Sequence, residues 1–300
     1  MARTCPKSFR RFDAVKYDQD IRIIALDLDG TLLDSQKRLS AANRAALEAA
    51  ATRGVQIVPT TGRFFGMMPQ AVRDLPFVRY AITINGAQVY DRETDTAIVR
   101  DEIPLDMARE LMRMLDGYDV IYDCYRANWG WMTAALQAKA EAYATDAHYL
   151  QMIREFRRPV ADLKAHLAAT AAEGDVQKVM LFARNAPEGE AVTKAISAEV
   201  AQRFPAIKVT TSTWNNLEFN IASAHKGNAL KRFAAHLGLT LANCMAFGDG
   251  MNDLTMIEAA GVGVAMANAH PRVLAAADHV TRSNDEDGVA CALREFGMPA

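Results

Sequence analysis

Short β-branched runs, each ending in a polar turn and followed by a helical stretch, stand near both ends of this 300-residue chain. Ile21-Arg22-Ile23-Ile24-Ala25-Leu26 is the first, and it ends in Asp27-Leu28-Asp29-Gly30-Thr31. A helix is expected from Ser40, its N-cap, to about Ala51, with Gly54 just past its end. Val55-Gln56-Ile57-Val58 reads as a second strand and Tyr80–Ile84 as a third, with a helix over 65–73 between them. Strands that are apolar on both faces, separated by helices, predict a parallel sheet with right-handed crossovers.

That rhythm breaks near Val89. Val89-Tyr90 and Ala97-Ile98-Val99 flank a polar turn and predict a hairpin. Helices are expected over 104–115, 134–147, 162–173 and 190–203, with strands at 120–125, 176–182 and 207–211. The strand-and-helix alternation then returns. A helix over 226–237 stops at Gly238. A strand at 244–247, a helix at 253–260, a strand at 262–266 and a short strand near His279 follow. The fold class is therefore α/β: a Rossmann-like parallel-sheet core at 21–87 and 213–300, interrupted by an inserted α+β domain at 88–212. Residues 1–20 read as a polar N-terminal extension.

Composition narrows the function. Thirty-four Lys and Arg against 36 Asp and Glu leave a net charge of −2, which argues against a globally basic nucleic-acid binder. No apolar stretch approaches the ~18 residues of a membrane span. The first twenty residues mix Lys7, Arg10 and Arg11 with Asp13 and Asp18 and lack a signal-peptide core. A cytoplasmic protein is expected, as a monomer or homodimer, with a small-molecule partner rather than nucleic acid or a membrane. Cys5, Cys124, Cys244 and Cys291 form no C-x-x-C pair, so neither a zinc ribbon nor a redox motif is present.

The chemistry lies in the carboxylates at strand ends. Asp27 and Asp29 follow the first strand, and Asp249 and Asp253 follow the strand at 244–247. In open parallel sheets, ligands bind beyond the carboxyl ends of the strands. Clustered carboxylates in a low-dielectric cleft need a cation, and an oxygen-only set selects a hard one such as Mg²⁺. A single Asp at such a place is more often a turn former or a helix cap. The ordered set Asp-x-Asp-Gly-Thr, Thr-Gly-Arg, Lys-Gly and Gly-Asp-x-x-Asn-Asp is what carries the argument.

Asp27-Leu28-Asp29-Gly30-Thr31-Leu32-Leu33 resembles the first motif of the haloacid-dehalogenase-like (HAD) phosphohydrolases. Thr61-Gly62-Arg63, Asn85-Gly86-Ala87, Lys226-Gly227 and Gly248-Asp249-Gly250-Met251-Asn252-Asp253-Leu254 resemble its Cof-type branch. So do Val264–Ala269 and Glu286–Val289. The resemblance spans about 21–291. It implies a Rossmann-like core with a C2-type cap inserted after the third core strand. It also implies a Mg²⁺-dependent phosphatase of small phosphorylated metabolites, such as sugar phosphates or phosphorylated cofactors, working through an aspartyl-phosphate.

By that resemblance Asp27 is the nucleophile and Asp29 the general acid and base. The metal is held by Asp27, Asp249 and the backbone carbonyl of Asp29. Thr61, Gly62, Lys226 and Asn252 serve the phosphate, and Asp253 supports the lysine and the metal. Thr60 is a rival hydroxyl, but register against Gly62-Arg63 favours Thr61. Asn85 and Arg63 face the substrate or the cap, with an ion pair equally open for Arg63. His225 replaces a small hydroxyl residue and is either structural or a phosphate contact. Tyr125–Trp131 either grips a leaving group or packs the cap. A phosphotransferase or phosphomutase with the same nucleophile, and a non-catalytic binding protein of the same fold, are the alternatives. No Gly-x-Gly-x-x-Gly follows the first strand, which disfavours dinucleotide binding.

Overall fold

The computed structural model describes residues 20–298, so nearly all of the expected N-terminal extension lies outside the described residues. The chain divides into two compact units. The first holds the residues up to Gly62, Met68–Val99 and those from His225 onward; the second holds Arg63–Met67 and Arg100–Ala224.

The first unit opens with β1 (Ile23–Leu26), α1 (Ala41–Thr52), β2 (Gln56–Pro59), α2 (Gln70–Arg73), β3 (Tyr80–Thr83), β4 (Gln88–Asp91) and β5 (Thr96–Arg100). All four residues of β1 are buried. Ser40 caps α1, its hydroxyl accepting the Asn43 amide at 3.1 Å. The helix expected over 65–73 is broken into a 3-10 turn at Phe65–Met67 and the short α2. Pro69 stands between them, lacking an amide and steering the residue before it out of helical backbone. β4 pairs antiparallel with β3, Tyr80 opposite Asp91 and Thr83 opposite Gln88, and β5 pairs with β4. This ladder ties the hairpin to the core, so the second unit begins at Arg100 rather than at 88.

The second unit contains α3 (Leu105–Leu115), β6 (Val120–Arg126), β7 (Trp129–Thr133), α4 (Ala134–Gln137), α5 (Ala147–Phe156), β8 (Arg157–Val160), α6 (Leu163–Ala169), β9 (Lys178–Ala183), α7 (Gly189–Arg203), β10 (Ile207–Thr210) and β11 (Asn216–Ile221). Its six strands run in the order β10-β11-β9-β6-β7-β8. One face of the sheet presents Tyr122, Cys124, Val179, Leu181 and Phe219 to Leu111, Leu163, Leu167 and Ile196 of the helices. The helix expected over 134–147 is not continuous. It stops at Gln137, and α5 starts afresh where Asp146 accepts the Tyr149 amide at 2.9 Å. β7, β8 and β11 were not anticipated. β11 pairs with β9, so the unit ends at Ala224 rather than 212.

The first unit resumes with α8 (Lys226–His236), β12 (Cys244–Gly248), α9 (Leu254–Ala259), β13 (Val262–Ala265), α10 (Pro271–Ala276), β14 (His279–Val280) and α11 (Gly288–Glu295). Its parallel sheet has the order β14-β13-β12-β1-β2. A parallel bridge from Thr60 to Ile82 carries it on to β3. β1 is central, with Leu26 level with Phe247 on one side and Pro59 on the other. The Asp27 amide donates to the Phe247 carbonyl at 3.0 Å and the Thr60 amide to the Leu26 carbonyl at 2.7 Å. The residues that follow β1, β2 and β12 therefore emerge at one edge of the sheet. The observed class is the expected one, α/β with a parallel-sheet core and a separate sheet domain. Among the described residues no helix is long and apolar enough to cross a membrane.

Candidate active site

The edge beyond β1 and β12 collects charge. Lys226, at the start of α8, is fully buried, and its ammonium donates to Asp27 Oδ1 at 2.6 Å and to Asp253 Oδ1 at 2.5 Å. The other Asp253 oxygen accepts the amides of Asp249 (3.0 Å) and Gly250 (2.8 Å), which folds the loop after β12 back on itself. Thr31, also buried, donates its hydroxyl to Asp249 Oδ1 at 2.7 Å. Gly30 has φ +88°, and a Cβ there would stand 2.5 Å from Asp249 Oδ2. Only glycine lets the turn after β1 meet Asp249 this closely.

Burial and then the neighbouring Asp253 push Asp27 up to about 8, against the pull of Lys226. Burial works to discharge Lys226, but Asp253 and Asp27 outweigh it and raise its pKa. Burial also raises Asp249, partly offset by the Thr31 hydrogen bond.

Asp27, Asp249 and Asp253 each offer a carboxylate oxygen within 4.8 Å of the others. Three carboxylates face one ammonium, an excess of negative charge in a buried place. Both Asp253 oxygens are engaged by Lys226 and the loop amides, which leaves Asp27 and Asp249 to face a cation. The donors are all oxygen, and the set fits a hard divalent cation.

The Asp29 side chain takes a different course. Its Oδ1 meets Lys37 Nζ at 2.8 Å. Lys37 sits in a turn with φ +62°; neither its role nor that of Thr31 was read from the sequence. Asn268, in the loop after β13, donates to the Gly30 carbonyl at 2.8 Å. It lies in the segment Val264–Ala269 that carries part of the family resemblance, the one signal that pointed to it.

Thr60 donates its hydroxyl back to the Val58 carbonyl at 3.0 Å. Thr61 is buried, and its amide donates to the Ile82 carbonyl at 2.9 Å. Asn252 is exposed, with Nδ2 3.4 Å from Asn85 Oδ1. His225 is the N-cap of α8, its Nδ1 accepting the Asn228 amide at 3.1 Å.

Arg63 stands in the second unit, its guanidinium 3.5 Å from the Met67 carbonyl. Within Tyr125–Trp131, Arg126 is buried and donates to Leu167 and Thr170. Trp131 stacks on His166 with centroids 4.5 Å apart. Trp129 is the exposed ring of the segment, with the Arg158 guanidinium 3.5 Å above it.

The family model of the haloacid dehalogenase-like hydrolases matches residues 24–293. The chain belongs to that family. The hydrolase is 29% identical over 279 residues to the 5-amino-6-(5-phospho-D-ribitylamino)uracil phosphatase YcsE of Bacillus subtilis, covering 93% of this chain and 97% of the relative. It is 30% identical to the pyridoxal phosphate phosphatase YbhA of Escherichia coli, covering 90% of this chain and 96% of the relative. The crystal structure of a haloacid dehalogenase-like hydrolase from Bacteroides thetaiotaomicron is similar to it with a TM-score of 0.77 at 26% identity, covering 92% of this chain and 99% of that one.

Proposed function

We propose that this hydrolase is a Mg²⁺-dependent phosphatase of small phosphorylated metabolites, sugar phosphates or phosphorylated cofactors, acting through an aspartyl-phosphate on Asp27. The observation that carries the reading is the buried ammonium of Lys226 between Asp27 and Asp253, with Asp249 beside them at the same sheet edge. Two relatives bear the names of phosphatases of such metabolites, a phosphorylated ribitylamino-uracil and pyridoxal phosphate.

Phosphoryl transfer asks the protein for positioning and charge neutralisation more than for covalent work. An Asp27 carboxylate oxygen attacks phosphorus, and the ester P–O bond breaks. Asp29 gives a proton to the departing oxygen. It then takes one from the water that attacks the acyl phosphate, releasing inorganic phosphate and restoring Asp27. Lys226 pulls Asp27 toward its ionised form, against burial and Asp253, and holds the carboxylate in place. The Thr61 hydroxyl and the Asn252 amide donate to phosphoryl oxygens, and the Lys37 ammonium orients Asp29. Asp27, Asp249 and the Asp29 carbonyl would hold Mg²⁺, which would supply charge neutralisation for the phosphoryl oxygens.

Purified protein with Mg²⁺ should release phosphate from para-nitrophenyl phosphate, lose that activity with a chelator, and regain it when Mg²⁺ is restored. Asp27→Asn should reduce turnover to background. Activity persisting in that variant, in a preparation free of contaminating phosphatases, removes Asp27 as nucleophile.

A further inference from the structure

Two departures from ordinary structure stand side by side at the end of β3. Thr83 is fully buried, and its hydroxyl has no hydrogen-bond partner among the described residues. Ile84, also fully buried, has φ +55°. A β-branched side chain is an outlier there, because its Cβ crowds the carbonyl. Asn85 (φ +57°) and Gly86 (φ +100°) continue the left-handed run. Strain of this kind persists only where the surroundings over-determine it, and it gathers at functional sites.

The surroundings are the loops that serve the phosphate. The Asn85 amide donates to the Thr61 carbonyl at 3.0 Å. The Asn85 side chain covers Gly62 so closely that a Cβ there would stand 2.9 Å from Asn85 Oδ1. Asn252 Nδ2 approaches the same oxygen. On its other flank, a Cβ on Gly86 would fall 2.5 Å from the carbonyl carbon and oxygen of His225 and 3.0 Å from the Lys226 nitrogen. One run of three residues therefore touches the Thr61 loop, the Asn252 loop and the first turn of the helix that carries Lys226. Right-handed backbone at 84 would turn both flanks away from these partners.

We propose that Ile84-Asn85-Gly86 is a positioning clamp for phosphoryl transfer, setting Thr61 and Asn252 through Asn85 and setting Lys226 through Gly86. The proposal rests on the phosphatase reading above. None of the three residues needs to touch the reacting atoms. The strained backbone at Ile84 is what holds the two flanks in register.

The test uses Gly86→Ala and Asn85→Gly in the full-length protein, with Mg²⁺ and para-nitrophenyl phosphate. The alanine methyl must displace the His225–Lys226 backbone, and kcat should fall by a factor on the order of 10–100, as expected for a misplacement near 1 Å. KM should change little, while the melting temperature should fall, because an alanine at φ +100° against the His225 backbone is strained. Asn85→Gly keeps left-handed backbone accessible while removing the side chain that spans Gly62 and Asn252, and kcat should again fall with KM nearly kept. Wild-type kcat in Gly86→Ala overturns the clamp. If Gly86→Ala fails to fold, Asn85→Gly decides, and wild-type kcat there overturns it. If the wild-type protein itself shows no turnover, the phosphatase reading falls separately. The clamp is then judged on the crystal structure of a folded variant: a lengthened Lys226–Asp27 contact in Gly86→Ala, or a displaced Thr61 loop in Asn85→Gly, supports it, and an unmoved one overturns it.

Discussion

Lys226 is the residue on which most of the site's electrostatics turns. Deleting its ammonium leaves Asp27 and Asp253 facing each other in a buried place. Lys226→Met should cost about 3–5 kcal/mol in a urea titration, the usual penalty for breaking a buried ion pair from one side, and should abolish turnover. Asp27 adds a pH dependence. Its folded value of about 8 exceeds the ordinary 3.8, so the folded chain binds this proton more tightly than the unfolded one. Without a cation, stability then falls as pH rises from about 4 to about 8. A cation takes the proton's place, so the gain in melting temperature on adding Mg²⁺ should be larger at pH 8 than at pH 6. An equal gain at both would count against Asp27 as a ligand. Asp27, Asp249 and Lys226 were legible because each lies where a strand ends or a helix begins, and the motif spacing follows the chain. Lys37 was not, because it reaches Asp29 through a left-handed turn whose path no spacing encodes.

At the scale of elements, the sheet of the second unit has an unusual reverse face. Alternation along β6, β9 and β11 sends Tyr122, Leu181 and Phe219 to the apolar core and sends Asp123, Tyr125, Lys178 and Glu218 the other way. Arg157 of β8 meets Asp123 at 2.9 Å and donates to the Tyr125 hydroxyl at 2.8 Å, while Lys178 pairs with Glu218 at 2.8 Å. Both Asp123 and Arg157 are buried. Asp123→Ala should destabilise the protein by about 3–5 kcal/mol, and adding Arg157→Met should recover much of that. Additive losses in chemical denaturation would show that the two charges do not compensate each other. The sequence concealed β8 because Arg-Arg-Pro-Val has no apolar alternation; pairing with β7 alone makes it a strand. In β11, Asn-Leu-Glu-Phe-Asn-Ile, the period-two signal is present, so this strand is legible in the sequence.

At the scale of the whole molecule, the interrupted core was legible from the loss and return of the strand–helix rhythm, but its boundaries were not. The hairpin at 88–100 breaks the rhythm and yet stays laddered to β3. The insert has an apolar core of its own, so a fragment of residues 100–224 should fold by itself, with cooperative thermal unfolding seen by circular dichroism. A fragment of 20–99 should not, because β1 would lack its neighbour β12. Non-cooperative melting of 100–224 would show that the insert depends on the rest of the chain, Phe64 included, whose ring packs edge-on against Tyr125 at 5.3 Å.

The central place of β1 also sets a timetable. Asp253 follows Asp27 by 226 residues, and a ribosome adding about 5–20 residues per second needs roughly 10–45 s to cover that distance. For the first 199 of those residues β1 and the Asp27 that follows it have neither Lys226 to balance the charge nor β12, which lies further along the chain, beside them. The charge balance of the site is therefore withheld from the nascent chain until Lys226 and Asp253 have both emerged.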